Sequence, residues 1–298
     1  MDSYNEKREV KPRNPWGAAG LSLCGAGLGQ LYNGQVVKSV IFYAAPYLLF
    51  GLTVVTGILS SFQGWIAATI AMLVMRLAFL LDAALVAGKR REYILKASNK
   101  WYIYLLIGLL FSAFVSPAVA IVKRAFFYQT YKIPTGSMHP TLMVGDYVAV
   151  SKVHYRLHPV QRGEIVVYRY PKDPSREFTH RMIGLPGDVL EIKNKTVYIN
   201  GQPLVEPYAY FEGRRASLGD NMPSRTVPSG HYFLLGDNRD NANDSRYWGS
   251  LPQGLVVGKV LFVRFSALDP KRADFERREF SPPWKWEFRS DRIGKKIE

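Results

Sequence analysis

The chain has 298 residues, is 48% hydrophobic, and carries a formal charge of +15 with a pI near 9.8, so it can hold about two domains and should seek an anionic partner. Its one cysteine, Cys24, lies in an apolar segment; an internal disulfide, a cysteine-based zinc site and a cysteine protease are all excluded in practice. Charge of this sign suits nucleic acid or a membrane surface, and the crowding of apolar residues before position 124 selects the membrane lipids and leaves no role for nucleic acid.

In chain order, the first residues are polar and basic, and apolar segments then follow one another without a small-residue cleavage site, so no cleavable signal peptide is expected. Residues 15–36 (PWGAAGLSLCGAGLGQLYNGQV) are apolar, glycine-rich and closed by the turn signal Asn33-Gly34; they read as a re-entrant or interfacial hairpin. The run GLGQLYNGQ within them resembles the small two-helix modules attached to many bacterial membrane proteins, from which no function follows. Stretches 39–59, 65–87 and 103–122 are each long and apolar enough to cross about 30 Å of hydrocarbon. Basic residues precede the first span (Lys7, Arg8, Lys11, Arg13, Lys38) and cluster between the second and third (Lys89, Arg90, Arg91, Lys96, Lys100). With those loops cytoplasmic, everything after 122 emerges on the far side, against the smaller opposing signal of Lys123 and Arg124. Arg76 and Asp82 fall inside the second span, where ionisable groups mark function by default. Their spacing does not put them on one helical face, and they are read as structural.

The handover from membrane to aqueous half comes at 131–141, YKIPTGSMHPT. Pro134 and Pro140 stiffen the segment around Ser137, and Gly136 leaves room for close backbone approach. A serine held on such a loop fits a nucleophile awaiting a base, or an ordinary polar turn. From 143 onward short β-branched runs (YVAVSKV, EIVVYRY, DVLEIK, TVYIN, HYFLLG, VVGKVLFVRF) alternate with turn residues, tight connections falling at Asn194-Lys195 and Asn200-Gly201. That pattern predicts antiparallel strands. The domain plan is a membrane region over 1–124 and a β-rich domain over 125–298. The basic, aromatic tail from 270 fits either anionic lipid headgroups or a solvated end.

Three further stretches stand out: GDYVAVSKV (145–153), FTHRMIGLPGD (178–188) and GDNRDNANDSRYWG (236–249). The last lacks EF-hand spacing. Taken in order with IPTGSMHPTL and following membrane spans, they resemble the type I signal peptidases, with a terminal DRIGKK that also fits; the resemblance runs over roughly 108–298. It implies N-terminal transmembrane helices followed by a mostly antiparallel β catalytic domain on the extracytoplasmic side of the bacterial cytoplasmic membrane. The implied enzyme is a serine endopeptidase that removes signal peptides from exported preproteins, with no metal or cofactor. The extra N-terminal spans could dock on the secretion translocon. Ser137 takes the place of the nucleophile. Its backbone N–H and the Thr135 hydroxyl take that of the oxyanion donors, and Ile133, Pro134, Met138, Leu142 and Phe178 that of the substrate pocket, where the peptide adds as a strand. Ser137 lies about 15 residues beyond the third span, hence no more than about 50 Å from the bilayer at about 3.3 Å per residue.

One departure is plain. Bacterial members use a lysine base where this chain has His180, and the serine that steadies the lysine falls at Ala242. Either the site is catalytically silent and the protein binds peptides, or His180 is itself the base, as in the signal peptidases of the endoplasmic reticulum. An imidazole with an unperturbed pKa of about 6.5 is available without burial, whereas a lysine is not. An acid partner would fix its tautomer; Asp244 is at the matching acidic position, with Asp237 as the fallback. The expectation is therefore a Ser137, His180, Asp244 triad.

Overall fold

The computed structural model describes residues 11–90, 92–94, 100–110, 113, 117, 120–121, 127–213, 218–268 and 286–297. Two units divide the chain, Met1–Val122 and Lys123–Glu298.

The first unit is helical. Helix α1, Pro15–Cys24, begins with proline at its first position and is capped by Asn14, whose side-chain oxygen accepts from the N–H groups of Trp16 (2.9 Å) and Gly17 (3.3 Å). A Gly25–Gly27 turn leads to α2, Leu28–Tyr32, so the glycine-rich stretch is a helical hairpin. Helices α3, Val36–Val55, and α4, Phe62–Lys89, follow, and both are long and apolar enough to cross a membrane. α5 covers Trp101–Leu110; most of the remainder of the third expected span lies outside the described residues. The hairpin is tied to α4 by buried amides, Gln30 donating to Phe79 O (2.8 Å) and Asn33 to Ala83 O (2.8 Å). Asp82 is held by Lys38 at 2.5 Å and by Gln30 at 3.0 Å. The Asp82 carboxylate is thereby paired with a cation of the same helical unit, in keeping with a structural role.

The second unit is antiparallel β. Its strands are β1 Tyr128–Lys132, β2 Asp146–Ser151, β3 Ile165–Tyr170, β4 Asp173–Gly184, β5 Val189–Lys193, β6 Thr196–Ile199, β7 Gln202–Pro203, β8 Met222–Thr226, β9 His231–Leu235, β10 Leu251–Pro252, β11 Val256–Leu268 and β12 Glu287–Phe288. The large sheet runs β1-β2-β11-β3-β4-β9-β10, with β12 on the end of β11; the smaller runs β7-β6-β5-β8. The two expected tight turns join β5 to β6 and β6 to β7, with Asn194, Lys195, Asn200 and Gly201 all at positive φ (46°, 69°, 51° and 80°), the conformation that matches strand twist.

Strands that the apolar pattern did not reveal have physical reasons for hiding. The outer half of β4, DPSREF, is exposed and polar. β8, MPSRT, contains proline and buries only its methionine side chain, and β1, YQTYK, has no buried position. Three apolar clusters form the core: Met138 and Leu142 with β2, β3 and β11; Ile183 and Phe233 with the small sheet; and Tyr168, Met182 and Leu234. The tail segment 270–285 lies outside the described residues.

Candidate active site

The loop carrying Ser137 is closed at its base by two backbone bonds. Ile133 N–H donates to Asp146 O (2.8 Å) and Gly145 N–H to Ile133 O (3.0 Å), with Gly145 at φ +88°, a conformation that favours glycine. Met138 and Leu142 are anchored in the core at 1% and 0% exposure, and the loop between them and Ile133 carries Ser137 at the surface of the domain. Asn238 fixes the other side: its N–H donates to Ser137 O (3.0 Å) and its amide to Gly136 O (3.2 Å). Beneath the loop, Asp146 is fully buried and accepts from Arg292 (Nη2, 2.6 Å), Ser266 (2.7 Å) and Met143 N–H (2.9 Å). Arg292 also donates to Thr141 O (2.9 Å). The terminal DRIGKK segment thus braces the serine loop from below.

Ser137 Oγ has Thr135 Oγ1 at 3.4 Å. Its backbone N–H makes no hydrogen bond among the described residues, which leaves a donor available beside Oγ. Gly236 packs against the loop so tightly that a Cβ there would lie 2.6 Å from Ser137 O and would also collide with the Ala242 side chain. The absent side chain is what lets the 236–249 loop close on the serine.

His180 sits on β4, paired with Val166 of β3. It is buried at 3% exposure, and its Nδ1 lies 2.7 Å from the hydroxyl of Tyr168. Nε2 has no hydrogen-bond partner among the described residues. Burial pushes the imidazole pKa down to about 4; Asp244 and Asp237 pull it up and Arg246 adds to the depression. This departs from the unperturbed base expected from sequence, because the ring is inside the protein.

Asp244 lies in the same region but does not touch the ring. One of its oxygens takes Arg246 Nε (2.8 Å), the other Arg246 Nη2 (2.9 Å) and Gly236 N–H (3.0 Å). It also caps α6, Ser245–Trp248, by accepting from Arg246 N–H. Asp237, the fallback, is spent on Arg181 through bonds of 2.8 and 2.7 Å, and Arg181 stacks on the Tyr208 ring at 3.8 Å. Each carboxylate thus has its own guanidinium, and the direct aspartate contact expected at the ring is made by Tyr168 instead.

Ser137 and His180 line one cavity of about 550 Å³, together with Ile133, Pro134, Thr135, Met138 and Phe178. Leu142 does not line it; it packs behind Ile133 and Met138 in the core. Val167, Asn241 and Asn243 line it as well and were not singled out from sequence. A larger cavity of about 740 Å³ lies among the helices of the first unit, between Val40, Tyr43, Met72 and Arg76, and contains none of the motif residues.

A family model described as signal peptidase, peptidase S26, matches residues 106–265. The chain belongs to this signal peptidase family. Membership makes it a serine-type peptidase of the signal peptidase class, and the matched stretch contains both Ser137 and His180. Signal peptidase I of Pseudomonas aeruginosa is 36% identical over 202 residues, covering 52% of this chain and 71% of the relative. Probable signal peptidase I-1 of Synechocystis is 41% identical over 160 residues, covering 51% and 79%. Signal peptidase I of Bacillus amyloliquefaciens is 36% identical over 165 residues, covering 53% and 84%.

Proposed function

We propose that this protein is a membrane-anchored endopeptidase that cleaves N-terminal signal peptides from exported preproteins, with Ser137 as nucleophile and His180 as general base. It would sit in the bacterial cytoplasmic membrane as a multi-pass protein, its residues 125–298 on the extracytoplasmic side. The observation that carries the reading is that Ser137 and His180 share one cavity while Tyr168 occupies Nδ1, which leaves Nε2 as the nitrogen to take the serine proton.

The chemistry then follows two half-reactions. Ser137 Oγ attacks the scissile carbonyl carbon as Nε2 removes its proton. The oxyanion accepts from Ser137 N–H and from the Thr135 hydroxyl, which turns away from Oγ to do so. Collapse breaks the C–N bond, and the imidazolium protonates the departing amine. Water repeats the sequence on the acyl-enzyme and frees Ser137. An extended peptide fits between the 131–135 segment and the 176–180 segment, both of which line the cavity, in β-augmentation mode. The apolar walls Ile133, Met138 and Phe178 would accept small side chains before the cut.

Cleavage of a fluorogenic signal-peptide substrate by the detergent-solubilised protein tests this. Ser137→Ala and His180→Ala should each abolish turnover. Wild-type activity no greater than that of Ser137→Ala would point to the alternative of a silent peptide-binding protein, in which Ser137 keeps only its contact with Thr135.

A further inference from the structure

Resting on the reading of His180 as base, we infer that Tyr168 is the residue that sets the imidazole for catalysis, accepting the Nδ1–H of His180 on its phenol oxygen so that Nε2 keeps its lone pair toward Ser137. The role usually given to an acid falls to a neutral hydroxyl.

The geometry carries the assignment. β3 and β4 pair with Val166 opposite His180 and Tyr168 opposite Phe178, so Tyr168 is the diagonal neighbour of His180 on one face of the sheet, within reach of an aromatic side chain. Its ring is fully buried, wedged between Phe178 (centroids 6.2 Å) and Trp248 (5.7 Å), which fixes the hydroxyl 2.7 Å from Nδ1. The charged groups facing His180 are Asp244, Asp237 and Arg246. Both carboxylates are engaged by guanidinium groups, and among the described residues only the phenol bonds the ring. Burial, then the charge of Asp244, then Tyr170 hold the phenol far above its ordinary pKa, so it stays protonated. Asp244 therefore favours the imidazolium through space, without a hydrogen bond to the ring.

The reverse arrangement, in which the phenol donates to Nδ1, would leave Nε2–H facing Ser137 and no base. The two differ in which ring nitrogen carries the proton. Nitrogen-15 NMR of histidine-labelled wild-type protein at neutral pH should show His180 protonated at Nδ1; protonation at Nε2 overturns the inference, and this reading needs no variant to fold. Tyr168→Phe keeps the ring and removes the oxygen. It should lower kcat by roughly 10- to 100-fold, the cost of stranding a buried N–H, leave KM within about twofold, and move the acid limb of kcat/KM to lower pH because the imidazolium loses an acceptor. Unchanged kcat and pH profile in Tyr168→Phe, with His180→Ala inactive, would remove Tyr168 from the mechanism while sparing the base. Full activity in His180→Ala would instead sink the base reading itself.

Discussion

Arg246 grips Asp244 through Nε at 2.8 Å and Nη2 at 2.9 Å, with both side chains buried, and this pair fastens the 236–249 loop that backs Ser137. Burial and hydrogen bonding to Asp244 act on Arg246 in opposite senses, and the net effect holds its pKa above the ordinary value. Removing one partner strands a charge in a dry site, which costs about 3–5 kcal/mol. Asp244→Asn should therefore lower unfolding stability by about that amount, and Asp244→Asn with Arg246→Leu should regain part of it. Chemical denaturation of the three proteins checks this. A single-variant loss below about 0.5 kcal/mol would mean the pair is solvated and does not hold the loop.

The imidazole predicts an unusual pH dependence. As the proposed base His180 must be neutral, and with its pKa pushed down to about 4 kcat/KM should stay nearly flat from pH 7 to 5.5. A base with the ordinary pKa of about 6.5 would lose nearly tenfold over that range. A drop of that size, read from the pH profile, would show that the ring is hydrated in solution. Stability runs with the same group. The folded pKa lies below the unfolded one, so the unfolded chain binds the proton first. His180's contribution is therefore untouched above about pH 6.5 and worsens as pH falls toward 4, by roughly 3 kcal/mol in all. A His180→Gln variant should lose correspondingly less stability on acidification.

Much of this site was legible in the sequence because it is written in backbone requirements. Asn194-Lys195 and Asn200-Gly201 each signal a tight connection that the structure adopts. The β-branched runs became β2, β3, β5, β6, β9 and β11 in place. What sequence could not give was register. Tyr168 sits in EIVVYRY with nothing to distinguish it from Tyr170, and only the pairing of β3 with β4 brings it to His180. Asp244 and Asp237 illustrate the converse: both lie near the imidazole as the motif implied, yet which cation each takes depends on side-chain geometry that spacing does not encode. Leu142 was separated from the pocket by the same kind of detail, one turn of loop placing it in the core.

The terminal segment should matter to a serine more than 150 residues away. Arg292 bonds Asp146 and Thr141 O together, joining the last described stretch to both the closed end and the far limb of the loop that carries Ser137. Arg292→Ala leaves the Asp146 carboxylate with Ser266, Met143 N–H and Arg289, whose Nη2 lies 3.6 Å away. A stability loss of about 3 kcal/mol is expected, with kcat falling because the loop carrying Ser137 loosens. Lys295→Ala, whose side chain has no ion pair among the described residues, is the control and should be neutral. If both variants behave alike, the segment does not brace the loop.

The occurrence of His180 together with Ala242 yields the most direct test of how the proposed base is set. Ala242 is buried against Gly236, and Gly236 in turn packs on the imidazole edge, a Cβ placed there lying 3.5 Å from His180 Cδ2. A lysine introduced by His180→Lys would enter a dry site that depresses its pKa, as a lysine base requires, but would lack the hydroxyl that relatives with a lysine are expected to place at position 242. His180→Lys alone should thus fall at least 100-fold below wild type in kcat. Adding Ala242→Ser should restore at least tenfold of that, and the recovered activity should rise with pH at a more alkaline midpoint than the histidine enzyme, since the reference lysine pKa is about 10.4. A double variant no more active than His180→Ala would show that this cavity is shaped for an imidazole held by Tyr168 and cannot be returned to lysine chemistry by a single hydroxyl.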